Sequence, residues 1–154
     1  MRKKQQQPRF SPKHYILSRA RKLPMDACYI NENWKESGMA SILVIRKHSN
    51  QNYTIGIYLV DIFALGTKDT FFNFNVSSSA FEEMLERMRS ENMQKAEYPL
   101  VHNIIYGANA FAEENGFKVH KDFKVTQYIL EADDEAIPLI EIEFGRNGEP
   151  FLII

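Results

Sequence analysis

Cysteine is nearly absent from this 154-residue chain: Cys28 stands alone, so no internal disulfide can staple the fold. Glycine and proline are sparse too, at seven and six residues, which excludes collagen-like and Gly/Pro-rich low-complexity sequence. No apolar run approaches the roughly 18–20 residues that span a bilayer. The basic N-terminus has no apolar stretch of signal-peptide length behind it. These absences lead to the expectation of a protein of the reducing cytosol with no membrane partner. Also missing are a phosphate-binding glycine loop, G-x-S-x-G, paired CxxC and HExxH. No metal and no cofactor are therefore expected.

What is present suits one domain of ordinary size: 44% apolar and 25% charged residues are close to the globular average. The net charge of −1 conceals an uneven distribution. Residues 1–22 hold Arg2, Lys3, Lys4, Arg9, Lys13, Arg19, Arg21 and Lys22 and no acid, whereas the rest of the chain carries all 20 acids. Such asymmetry describes a basic arm, 1–22, on an acidic single domain, 23–154. The arm is suited to neutralising phosphates. The alternative is a solubilising tail that folds back on its own acidic body.

Residues 1–12 have the composition of disorder. Residues 14–22 suit a short basic helix anchored by Tyr15 and Leu17, limited by Pro24. Strands are expected at 27–31, 39–47 and 53–65, with a further one at 71–76. Within them Ile42, Val44 and Arg46 share one face, and Leu43 and Ile45 the other. Ser79-Ala80-Phe81-Glu82 fits a capping box ahead of a helix lined by Phe81, Met84, Leu85 and Met88. A longer helix starts near Pro99 and closes at Asn115-Gly116, with Gly107 in its middle marking close approach of another backbone. A short helix is expected within 121–130. The end of the chain reads as a hairpin, 139–144 and 150–154, turning at 145–148. Strands first, helices later and a closing hairpin argue for α+β: a mainly antiparallel sheet packed on two main helices.

Two segments carry candidate chemistry. In 58–70, period two places Asp61 in a row with Ile55, Ile57, Leu59, Phe63 and Leu65. A carboxylate there needs a partner or a raised pKa. Asp61 and Asp69, with Lys68 as electrostatic stabiliser, form a candidate catalytic or metal-binding pair; alternatively, Asp61 bonds backbone amides at a strand end. In 101–123, His102 and Tyr106 share a helical face. His120 followed by Asp122 suits a general base with an orienting carboxylate, or else a capped turn with an exposed histidine. Cys28 is a nucleophile candidate or a small core residue.

Together, the segments ARKLPMDACYINENWKESG, YLVDIFALGTKDT and IIYGANAFAEENGFKVHKDF resemble an uncharacterised family of bacterial cytosolic proteins. The shared pattern is a CY strand, a YLVD-x-x-x-LG-x-KDT block and an IYGA helix ending in GF-x-x-HKDF. The resemblance implies that Cys28, Asp61, Lys68, Asp69, Tyr106, His120 and Asp122 lie in family motifs; it implies no reaction.

The leading expectation is a non-enzymatic binding module whose basic arm engages RNA, DNA or a ribonucleoprotein. The alternatives are a small hydrolase or nuclease using Asp61, Asp69 and His120, and a protein-interaction module binding an acidic partner.

Overall fold

The computed structural model describes residues 10–152. Its elements in chain order are α1 (Pro12–Arg19), β1 (Met25–Asn31), α2 (Trp34–Ser37), β2 (Met39–Lys47), β3 (Tyr53–Asp61), β4 (Gly66–Val76), α3 (Ser78–Arg87), β5 (Met93–Ala96), α4 (Tyr98–Glu114) and α5 (Phe123–Thr126). The five strands form one sheet in the order β4-β3-β2-β1-β5, antiparallel at every junction. This is an α+β fold. Among the described residues, no helix is long and apolar enough to cross a membrane.

The alternation in β2 splits the core in two. Ile42 and Val44 pack with Tyr58 and Val60 of β3 beneath α4, whose Val101, Ile104, Ile105 and Ala108 are buried. Leu43, Ile45 and Ile55 face the other way, against Phe81, Met84 and Leu85 of α3 and Met88 just after it. Two hydrophobic stripes at helical spacing thus meet two faces of one pleated sheet.

Several boundaries differ from expectation. β3 stops at Asp61 rather than Leu65, because the Asp61 carboxylate accepts from the amides of Phe63 (2.9 Å) and Ala64 (3.2 Å) and turns the chain. The cap of α3 is Ser77, which accepts from Ala80 N at 3.2 Å; the expected box at Ser79–Glu82 lies inside the helix. The short strand β5 has no apolar alternation and gave no signal, yet it pairs with β1 from Cys28↔Ala96 to Asn31↔Met93.

The expected closing hairpin does not form as a ladder among the described residues. Its only bridge there is Arg146↔Glu149. Gly145 N instead donates to Ile62 O, and Phe151 N to Phe63 O, both at 2.9 Å, so the tail docks on the turn after β3.

The N-terminal segment also differs. From Pro12 it is packed structure: Ile16 and Ala20 are fully buried in the core, whereas the expected anchor Leu17 is exposed. The body of the molecule therefore begins about ten residues before the expected boundary at residue 23. Residues 1–9, with Arg2, Lys3, Lys4 and Arg9, lie outside the described residues.

Gly107 meets a ring rather than a backbone. A Cβ there would stand 2.5 Å from Cζ of Phe144, which belongs to the tail. Gly107→Leu is therefore expected to destabilise by roughly 1–3 kcal/mol through overpacking. Phe144→Ala should suppress most of that added cost in a double-mutant cycle followed by chemical denaturation. Additive effects would place Gly107 away from the Phe144 ring.

Candidate functional site

The basic segment divides into two kinds of cation. Arg21 turns inward: its Nε donates to Leu130 O at 2.9 Å and Nη2 to Gln127 O at 3.3 Å, while its guanidinium lies 4.8 Å from the Tyr128 ring centroid. Lys13, Arg19 and Lys22 are exposed and make no ion pair among the described residues. Arg21 is thus a structural clamp, and the remaining cations of α1 and the turn after it face solvent. Beside them, Lys13, Phe71, Phe72 and Asp122 line a shallow cleft of about 260 Å³, in which Phe71 of β4 is 51% exposed.

The acidic candidates separate. Asp61 is buried, and both hydrogen bonds it accepts come from backbone amides, so it anchors the β3–β4 turn. Asp69 sits on β4 opposite Leu59, whereas Asp61 sits opposite Gly66. Among the described residues Asp61 forms no ion pair with Lys68, which is exposed. Asp69 instead faces His120, with its Oδ1 3.8 Å from Nε2; the His120 Nδ1 is 3.8 Å from Asp122 Oδ2. His120 is placed there by its own amide, which donates to Thr67 O of β4 at 2.8 Å. Asp122 N donates to His120 Nδ1 at 3.1 Å, which leaves the ring proton on Nε2, toward Asp69. Both carboxylate separations exceed a hydrogen bond. The structure therefore gathers Asp69, His120 and Asp122 at the surface and leaves Asp61 elsewhere. Among the described residues, no group of three or more His, Cys, Asp or Glu side chains could hold a metal ion.

Cys28 is buried on β1 in the α4-side core. Burial pushes its thiol pKa up to about 12, with the nearby Arg46 cation opposing the shift. The thiolate that nucleophilic attack needs is thus suppressed at neutral pH, and Cys28 is a core residue.

Two polar constellations escaped the sequence. The first centres on Arg46, 1% exposed: Nε donates to Ile129 O (2.6 Å), Nη1 to Leu23 O (2.7 Å), and Nη2 to Glu131 Oε1 (2.9 Å). The second runs through α4. The amide of Glu131 donates to the Tyr98 hydroxyl at 2.7 Å, the hydroxyl lies 2.8 Å from His102 Nδ1, and His102 Nε2 lies 3.0 Å from Asp133 Oδ1. Burial above all holds the Tyr98 pKa well above its usual value. The Asp133 carboxylate accepts from Nε2–H, and the Tyr98 hydroxyl meets Nδ1 on the other side of the ring. His102 is 2% exposed and lines a surface cleft beside Asp133. The i,i+4 spacing of Tyr98 and His102 was a local signal for half of this chain; Asp133, 31 residues from His102, had none.

His120 and Asp133 both line a cleft of about 430 Å³ between α4 and the α5 segment, together with Tyr106, Asn109, Lys124 and Gln127. Comparison with known proteins finds no matching family model, no matching curated protein and no matching solved structure.

Proposed function

We propose that the chain is a non-enzymatic cytosolic module that binds single-stranded nucleic acid, or a ribonucleoprotein surface, through its N-terminal basic segment. The observation that carries this reading is the exposure of Lys13, Arg19 and Lys22 without ion pairs among the described residues. The segment packs on the body through Ile16 and Ala20, yet these three cations meet no carboxylate partner there among the described residues, which leaves their charge available to a ligand. The half-exposed Phe71 ring beside Lys13 adds a platform on which a base can stack, a contact worth about 1–3 kcal/mol. The resemblance to bacterial cytosolic proteins belongs to this same proposal and supplies its compartment.

The test is binding of a fluorescent single-stranded oligonucleotide measured across a salt series. Replacing Lys13, Arg19 and Lys22 together by alanine should weaken binding and flatten the salt slope by about 2, at roughly 0.7 per phosphate contact. Phe71→Ala should weaken binding while leaving the slope unchanged. An unaltered slope in the triple variant removes the proposal.

A further inference from the structure

Residues 139–144, Leu-Ile-Glu-Ile-Glu-Phe, alternate as a strand does, yet they belong to no sheet. Glu141 and Glu143 are exposed, while Ile142 and Phe144 are half-buried against the core. The segment is pinned at both ends. Asn103 Nδ2 donates to Pro138 O at 2.9 Å, and Gly145 N donates to Ile62 O at 2.9 Å. Between those pins, none of the six backbone amides has a hydrogen-bond partner among the described residues. Leu139 is 86% exposed, on the same side of the strap as the two glutamates.

Beside this strap runs a groove of about 470 Å³. Trp34, Ile62, Phe63, Leu100 and Ile142 contribute apolar surface to it. Two cations also line it, each held over a ring: Arg146 at 4.0 Å from the Phe151 centroid and Lys35 at 5.3 Å from that of Trp34. The free carboxylates along the strap are those of Glu141 and Glu143, which form no ion pair among the described residues.

The geometry points to a β-addition site: the strap 139–144 takes an extended segment of a partner protein that alternates apolar and basic residues. A strand added to this edge would pair with the open amides and carbonyls. Its alternate side chains would fall into the groove on one side and oppose Glu141 and Glu143 on the other. A second copy of this chain is the poorer occupant. Antiparallel self-pairing centred on Ile142 sets Glu141 against Glu143, and pairing centred on either glutamate sets that residue against its own copy. Like charges directly opposite one another destabilise a ladder. The strap shares no residue with the basic segment, so this site stands apart from the one proposed there, and either can fail without the other.

The experiment uses the full chain and a synthetic peptide of alternating valine and lysine. A peptide of alternating valine and glutamate serves as the control. Amide hydrogen exchange read by NMR should show protection at residues 139–144, confined to that strap, on adding the lysine peptide only. Glu141→Lys with Glu143→Lys should weaken binding about tenfold, as two surface charge pairs become repulsive. Ile142→Pro, which removes one amide from the edge, should also weaken it. Circular dichroism on each variant confirms that the fold is retained. Equal binding of both peptides, or protection on β4 or β5 instead of the strap, overturns the proposal. Protection of the strap that rises with protein concentration without peptide overturns it in favour of self-association.

Discussion

Arg46→Met is expected to lower the unfolding free energy by roughly 3–5 kcal/mol, the range for breaking a buried charged network by removing one partner. The methionine keeps most of the side-chain volume, so the loss does not come from a cavity. It comes from the acceptors. Ile129 O loses its donor at 2.6 Å in the buried interior, and Leu23 O loses one at 2.7 Å in a half-buried position. Each orphaned buried group costs about 1–3 kcal/mol. Glu131 contributes less, because its side chain is 41% exposed and rehydrates. Arg46→Lys should recover only part of the stability. An ammonium is a point charge with three donors, and it cannot span two carbonyls and a carboxylate with the geometry of a guanidinium fork. Urea denaturation monitored by Trp34 fluorescence measures both variants. A loss below 1 kcal/mol for the methionine variant would show that the 129–131 segment is held by other contacts.

The part of this clamp that was legible in the sequence is the part set by local periodicity. The alternation of β2 places Arg46 with Ile42 and Val44, and β2 runs as expected from Met39 to Lys47. Its partners lie 83 and 85 residues away, at Ile129 and Glu131, in a segment whose own pattern is not periodic. No spacing rule reaches that far. Asp61 shows the same limit from another side. Period two carried the strand past it to Leu65, because the row of apolar residues continues. The carboxylate bonds two amides ahead of it and ends the strand where hydrophobicity alone would extend it. Asp69 and His120 were marked in separate segments and joined, with Asp61, only in the hydrolase alternative; the backbone bond from His120 N to Thr67 O is what brings the two together. The tail reversed the usual error. Its alternation is genuine, and the second strand that alternation requires is missing from the described residues, since the turn at Ile62–Phe63 takes its flanking amides.

That turn also governs the second large effect. Gly38→Ala should cost roughly 2–4 kcal/mol, combining left-handed backbone strain with overpacking. Gly38 closes α2 with φ +75°, its amide donating to Trp34 O at 3.1 Å and its carbonyl accepting from Ile62 N at 2.9 Å. An alanine must hold the same backbone at a cost of about 1–2 kcal/mol. Its Cβ would also collide with the edge of the Phe63 ring. Phe63 cannot simply swing aside, since it is 9% exposed, sits in the α4-side core and packs edge-on to Phe151 at 6.0 Å. Gly116→Ala separates the two contributions. Gly116 has φ +85° with open space around it, so that variant should lose only the backbone part. Phe63→Leu placed in the Gly38→Ala background should then cost less than Phe63→Leu in the parent, because the shorter side chain relieves the collision. Equal losses for Gly38→Ala and Gly116→Ala would mean that Phe63 has room to move. The Phe151 N to Phe63 O bond would then fail to fix the ring, and the floor of the groove beside the 139–144 strap would be more pliable than its burial implies.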